Sequence, residues 1–353
     1  KADGDEDKDE SQFYGPNKNQ KIRYSTECLD VPDNAYMDGA MADYAVQQLA
    51  QLKKSKQPFF LAVGFKKPHL PFIAPKKYWD LYDRNKIEPA IFREKAANSP
   101  DVAYHNAGEL RNYGADIKPL NEKGNQLLLS EEKQRELIHG YYACISYTDA
   151  QIGKLMAALK ANGLDKNTII VLWGDHGWHL GDHNLWCKHS NFEQATRVPL
   201  IVKVPGVTKG QLYNNFAELV DVYPTICDAA GLKVEKYIDG KSLVPALKNN
   251  NAVIKEFAIS QYPRGAGDGP KEVMGYSIRN KQYRLTEWVT GFTTNMPFDE
   301  TNVKAVELYD SKNDPLETKN MADESAMKNI VAQLKNELHN FYKKQLQNIN
   351  SIK

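Results

Sequence analysis

The apolar positions along this chain follow two rhythms that change near residue 250. Before that point, short β-branched or aromatic runs alternate with stretches of helical pattern. Phe59-Phe60-Leu61-Ala62-Val63-Gly64-Phe65, Thr168-Ile169-Ile170-Val171-Leu172-Trp173 and Val198 to Gly206 read as buried strands. Helical pattern covers Asp38 to Lys54, a face of Ile152, Leu155, Met156 and Leu159 running from Ile145, and Phe216 to Leu232. Asn162-Gly163 and Ala230-Gly231 supply the stops of the last two. Residues 80 to 130 are rich in Pro, Asn and Gly with little periodicity, so loops and short helices are expected there. The alternation predicts an α/β fold, a mostly parallel sheet flanked by helices.

Beyond residue 250 the pattern turns to short strands of mixed polarity, Phe257 to Ser260, Gly275 to Arg279 and Gln282 to Trp288. These suit a small antiparallel sheet with one wet face. Met327, Ile330, Val331, Leu334, Leu338 and Phe341 then mark the buried stripe of a final helix, in which His339 reads as structural. The expected division is therefore an α/β part over 1–250 and a smaller antiparallel-sheet-plus-helix subdomain over 251–353.

Composition narrows the function classes. The 353 residues carry 46 basic and 45 acidic side chains, a net charge of +1, which argues against a nucleic-acid or membrane-surface binder. An anionic ligand has to be held by local charge. The longest apolar runs are of strand length, so no membrane-spanning helix is expected. Cys28, Cys144, Cys187 and Cys227 form no Cys-x-x-Cys pair and match neither a zinc framework nor a disulfide-dense scaffold. Cys144 and Cys227 read as small core residues. The opening run Lys1 to Glu10 is acidic and solvated, and Lys8 stands where a calcium-binding EF-hand loop needs glycine. Such an opening is expected in the interior of a longer protein.

The densest chemistry follows the strand at 168–173. Gly174-Asp175-His176-Gly177-Trp178-His179 leads through His183 to Lys188. In open α/β sheets ligands gather beyond the carboxyl ends of strands. Asp175 and His176 offer a carboxylate oxygen and an imidazole nitrogen to one metal ion, and the following His and Lys residues suit an anion beside that cation. For His179, His183 and His189 taken singly, an ordinary packing role competes with a ligand role. A second cluster, Lys66-Lys67-Pro68-His69, follows the run at 59–65.

Together these pieces resemble the formylglycine-dependent sulfatases of the alkaline-phosphatase superfamily, with the iduronate-2-sulfatase branch nearest in pattern. The resemblance runs through most of the chain: Lys67-Pro68-His69-Leu70-Pro71-Phe72, Asp175-His176-Gly177-Trp178 with Lys188 and Ser190-Asn191-Phe192, and Ala195-Thr196-Arg197-Val198-Pro199-Leu200-Ile201. It continues in Val220-Asp221-Val222-Tyr223-Pro224-Thr225, Ser260-Gln261-Tyr262-Pro263-Arg264, Met274-Gly275-Tyr276-Ser277-Ile278-Arg279 and Glu307-Leu308-Tyr309-Asp310. It implies that Asp175 and His176 bind one calcium ion, that His69 protonates the leaving sugar oxygen, and that Lys188 touches the sulfate. Candidate substrate contacts are Lys67, Trp178, His179, His183, Arg264 and Arg279. The family's nucleophile is a formylglycine made from cysteine in a Cys-x-Pro-Ser-Arg motif, and none of the four cysteines here lies in that context.

The expectation is thus a secreted or periplasmic sulfatase acting on a sulfated polysaccharide or oligosaccharide. Its nucleophile would come from an N-terminal segment outside these residues, possibly a separate cleaved chain, and this chain alone would be inactive. Two alternatives stand beside it: a phosphodiesterase or phosphonate hydrolase on the same scaffold, and a non-catalytic glycan-binding protein of the same shape.

Overall fold

The computed structural model describes residues 24–55, 57–117, 127–265, 271–290 and 300–352; the acidic opening run lies outside them. Two compact units form, Lys1–Ile91 with Asn106–Asn167, and Phe92–His105 with Thr168–Lys353. The change of pattern near 250 falls inside the second.

In the first unit, β1 (Thr26–Leu29) pairs in parallel with β2 (Phe72–Pro75), Thr26 lying opposite Phe72. Helix α1 (Met37–Ser55) matches the expected helical stretch and buries Ala42, Ala45 and Leu49. Two short helices, α2 (Lys76–Trp79) and α3 (Gly108–Arg111), precede the long α4 (Glu131–Ala161). The α4 N-terminus is set by Ser130, whose hydroxyl accepts from the Lys133 backbone N–H at 3.2 Å, and by Glu131 and Glu132 beside the positive end of the helix dipole. At Gly140 a Cβ would lie 2.8 Å from that of Phe72, so the missing side chain lets α4 lie directly on β2.

The expected strand at 59–65 forms no ladder among the described residues, and Phe60 is 78% exposed. The buried strand here is β2, one turn later, with all four of its residues inside. Apolar composition is shared by strands and by extended segments, and only the ladder separates them.

The second unit holds β3 (Ile170–Trp173) and, after the β4–β5 hairpin (His179–Leu180, Trp186–Cys187) and α5 (Glu193–Thr196), β6 (Leu200–Lys203). β3 and β6 pair antiparallel, Trp173 opposite Leu200, so β1–β2 carries the parallel pairing among the described residues. The expected helix at 216–232 contracts to α6 (Val222–Ala229), preceded by a 3-10 turn over Leu219–Asp221 that Glu218 and Asp221 cap reciprocally. Helix α7 (Val244–Lys248) follows.

The C-terminal prediction holds in kind. β7 (Ala258–Gly265), β8 (Lys271–Arg279), β9 (Tyr283–Thr290) and β10 (Val303–Asp310) form one antiparallel sheet in the order β10-β9-β8-β7. Leu334 and Leu338 of α8 (Lys328–Ile352) bury against Ile278, Leu285 and Leu308. His339 is structural, its Nε2 2.6 Å from the Glu287 carboxylate. No described helix is long and apolar enough to cross a membrane.

Candidate active site

At the end of β3 the chain turns through Gly174 into Asp175 and His176. The turn is held where the Gly174 and Gly177 amides donate to Pro199 and Ala195 carbonyls at 3.2 and 2.9 Å. A Cβ at Gly177 would lie 2.0 Å from the Gln194 carbonyl oxygen, so only glycine lets the loop press against α5. The Asp175 side chain is 84% exposed. His176 points Nδ1 at the Gly177 carbonyl at 2.8 Å, which assigns the ring hydrogen to Nδ1. Its Nε2 lies 3.5 Å from the Asp175 carboxylate.

Trp178 joins this pair to the lysine. Its indole stacks on the His176 ring at 6.0 Å, and Lys188 Nζ lies 5.0 Å over the same indole. A cation over an aromatic face is held there electrostatically. The sequence-predicted residues Asp175, His176, Trp178 and Lys188 are therefore brought together. Asp175, His176, Lys188 and Arg279 all line one cavity of 1700 Å³, more than a small ligand needs.

Arg279 is tethered there by Glu193, 3.5 Å from its Nε, and burial lowers its pKa. Glu193 also accepts from Arg284, whose Nε donates to Glu317 at 2.6 Å in the interior. This ion network fixes the first turn of α5 to β8 and β9. The pairing escaped the sequence reading because Glu193 lies 91 residues from Arg284 along the chain.

The structure buries two predicted substrate contacts, His179 and His183, and ties a third, the half-buried Arg264, to backbone carbonyls. His179 is fully buried with Nε2 2.7 Å from the Ser190 hydroxyl, and burial, with His105, His183 and Arg264 nearby, holds its pKa well below the imidazole range. His183 stacks on Phe192 at 4.1 Å, and burial pushes its pKa down to about 4. Left-handed backbone at His183 and Asn184, φ 55° and 58°, folds this hairpin tightly enough to bury both rings. Arg264 donates through Nε to the Val102 carbonyl at 3.1 Å and through Nη2 to those of Ala103 and His189. All three side chains make contacts within the second unit.

In the first unit, Lys67 is likewise buried. Its amide donates to Asp38 at 2.8 Å and its Nζ to the Pro71 carbonyl at 2.9 Å, so it builds the turn that carries His69. His69 itself is part-exposed. Its Nδ1 lies 2.7 Å from the Leu70 carbonyl and its Nε2 2.9 Å from Glu109 on α3. Glu109, a lone acid within an aperiodic stretch, carried no sequence signal.

Among the described residues no three His, Cys, Asp or Glu side chains gather into a metal site. The Asp175–His176 pair still fits a share of one. An exposed carboxylate and an imidazole whose far nitrogen is fixed by a carbonyl are what a metal-ligating pair requires, and calcium would need further oxygen ligands from elsewhere.

The profile of the family described as Sulfatase matches residues 4–232, and that of N-sulphoglucosamine sulphohydrolase, C-terminal, matches 181–344. Human iduronate 2-sulfatase is 34% identical over 356 residues, covering 85% of this chain. The chain spans 64% of the length of that enzyme. Two solved structures share the fold. The phosphonate monoester hydrolase of Agrobacterium radiobacter has a TM-score of 0.73 at 22% identity, covering 97% of this chain and 68% of its own. A protein solved with its substrate D-glucosamine-2-N,6-O-disulfate has a TM-score of 0.70 at 20% identity, covering 88% and 70%.

Proposed function

The chain belongs to the sulfatase family of the alkaline-phosphatase superfamily, and from that premise we propose that it is the larger part of a secreted or periplasmic enzyme that hydrolyses sulfate esters of a polyanionic glycan. The observation that carries this reading is that Asp175, His176, Lys188 and Arg279 line one cavity, with Trp178 in contact with both His176 and Lys188. A carboxylate and an imidazole fit a cation, and two further basic side chains fit an anion beside it.

In this reading Asp175 Oδ and His176 Nε2 hold one calcium ion together with ligands from outside these residues; when bound, it supplies the positive charge that holds the sulfate. The nucleophile is a formylglycine on an N-terminal segment of the same protein, and it supplies the oxygen that attacks sulfur. The 353 residues alone are then expected to release no sulfate.

Their own side chains do the rest. Lys188 offsets charge on the sulfate oxygens, and its place over Trp178 limits where the ammonium can sit. His69 delivers a proton to the leaving sugar oxygen, since a sugar alkoxide is a poor leaving group. Arg279, braced by Glu193, favours a ligand with a second negative charge, such as a uronate beside the sulfate-bearing position. Human iduronate 2-sulfatase, by its name, acts on a substrate of that kind.

A substrate panel tests the proposal. The intact protein, with its nucleophile segment, is expected to release sulfate from sulfated uronate-containing fragments, with kcat/KM falling as salt rises. Turnover of phosphonate monoesters with no sulfate release would move the assignment to the hydrolase reading. Glycan binding without turnover of any ester would make it a binding protein.

A further inference from the structure

His69 is held from both sides of its ring, and the two holds differ in kind. Nδ1 faces the Leu70 carbonyl at 2.7 Å, part of the turn that Asp38 and Lys67 build. Nε2 faces the Glu109 carboxylate at 2.9 Å, and that carboxylate comes from a different segment. A peptide carbonyl only accepts hydrogen bonds, and so does an ionised carboxylate. In its protonated form the ring presents a hydrogen to each partner. The pair is partly shielded, the side chains being 27% and 17% exposed, and a charge-assisted contact gains from such shielding.

Glu109 is not placed by chance geometry of a long flexible arm. Helix α3 is only four residues long, and it is anchored by Leu110, 1% exposed, and by Arg111, whose Nε donates to the Asn106 carbonyl at 2.6 Å. Ala107 enters it in the left-handed region, φ 54°, which turns the chain sharply into the helix. The excursion between α2 and α4 thus delivers one carboxylate to the far nitrogen of His69.

We propose that Glu109 is a positioning residue for the hydrolysis: it orients the His69 ring and keeps Nε2 loaded with the proton that the leaving oxygen takes. This rests on the reading of His69 as the acid. In the step it serves, the ester O–S bond breaks and its electron pair stays on the sugar oxygen; that oxygen takes the Nε2 hydrogen, which leaves its contact with Glu109, while sulfur bonds to the attacking oxygen, whose own proton passes to solvent. His69 is left neutral with a lone pair on Nε2 facing Glu109.

Leaving-group dependence gives the test, because an aryl sulfate leaves without a proton and a sugar sulfate does not. In the intact protein, Glu109→Gln is expected to lower kcat on a sugar sulfate roughly 10-fold or more, with KM little changed, and to leave kcat on an aryl sulfate within about 3-fold. Glu109→Asp should recover part of the sugar-sulfate rate. Adding Glu109→Gln to His69→Ala should cost nothing further, since the two act as one unit. Equal losses on both substrates for Glu109→Gln, while His69→Ala discriminates between them, would overturn the positioning role and leave the acid intact. Equal losses for His69→Ala itself would overturn the acid assignment instead, which separates the two failures.

Discussion

Acidification is expected to loosen the loop that carries Lys188, through His183. Its imidazole is 1% exposed and stacked on Phe192, with Phe92 edge-on. Burial is the main cause that lowers its pKa from 6.5 to about 4, and the opposing pull of Asp182 and Asp314 does not cancel it. The folded state thus prefers the neutral ring. Above pH 6.5 both folded and unfolded chains hold it neutral and nothing is lost. Between pH 6.5 and 4 the unfolded chain takes up the proton and the folded one resists, so stability falls as pH falls. The full difference is about 3 kcal/mol at 1.36 kcal/mol per pKa unit, reached near pH 4. His179, held neutral by the same burial, acts in the same direction. Glu307, which burial pushes up to about 7, acts in the opposite one: its cost appears as pH rises from 4.5 toward 7.

His183→Asn isolates the histidine. Asparagine tolerates the φ of 55° better than most residues and does not titrate. Urea unfolding at pH 7, 6, 5 and 4.5, followed by fluorescence of buried Trp186 and Trp288, gives stability against pH for both proteins. The original should lose stability more steeply than the variant, the gap approaching about 3 kcal/mol toward pH 4. Parallel curves would refute the argument, whatever the offset between them.

Arg264→Met should cost about 3 kcal/mol or more in urea unfolding, because the carbonyls of Val102, Ala103 and His189 lose a charged donor. A loss under about 1 kcal/mol, with weakened substrate binding, would return Arg264 to the ligand contacts. Gly275→Ala would set a Cβ 2.6 Å from Asn191 Nδ2 and 2.7 Å from the Trp288 ring; a loss of about 1–3 kcal/mol in thermal unfolding is expected, and an unchanged melting temperature would refute the crowding. Elemental analysis of the intact protein is expected to find one calcium per chain, lost in Asp175→Ala; two zinc ions per site would refute the assignment.

Much of the scaffold was legible because burial leaves a periodic trace. The stripe from Met327 to Phe341 and the antiparallel strands after 257 follow from that trace, as does α1. Chain direction leaves none, which is why β3 and β6 could be read as strands but not as antiparallel partners. Phe59 to Phe65 shows the same limit, since apolar residues need not form a ladder. In the site, Asp175 and His176 were readable because they are adjacent and follow a strand. His179, His183 and Arg264 were read as pocket groups because residue type announces charge and not depth. Glu109 and Glu193 were invisible because their partners lie 40 and 91 residues away along the chain.

The short segment Phe92–His105 belongs with residues more than sixty positions further on. Arg264 grips its carbonyls, Tyr104 packs on Phe192, and Ala97 exchanges backbone hydrogen bonds with Thr318 and Asn320. The second unit is therefore discontinuous in the chain. A single cut at 167 would not free it whole, because it would leave behind the strip that covers Trp288 and Tyr309. Limited proteolysis should accordingly yield nicked protein that stays associated, and an expression fragment starting at 168 should recover its fold only when a peptide spanning 92–105 is added back.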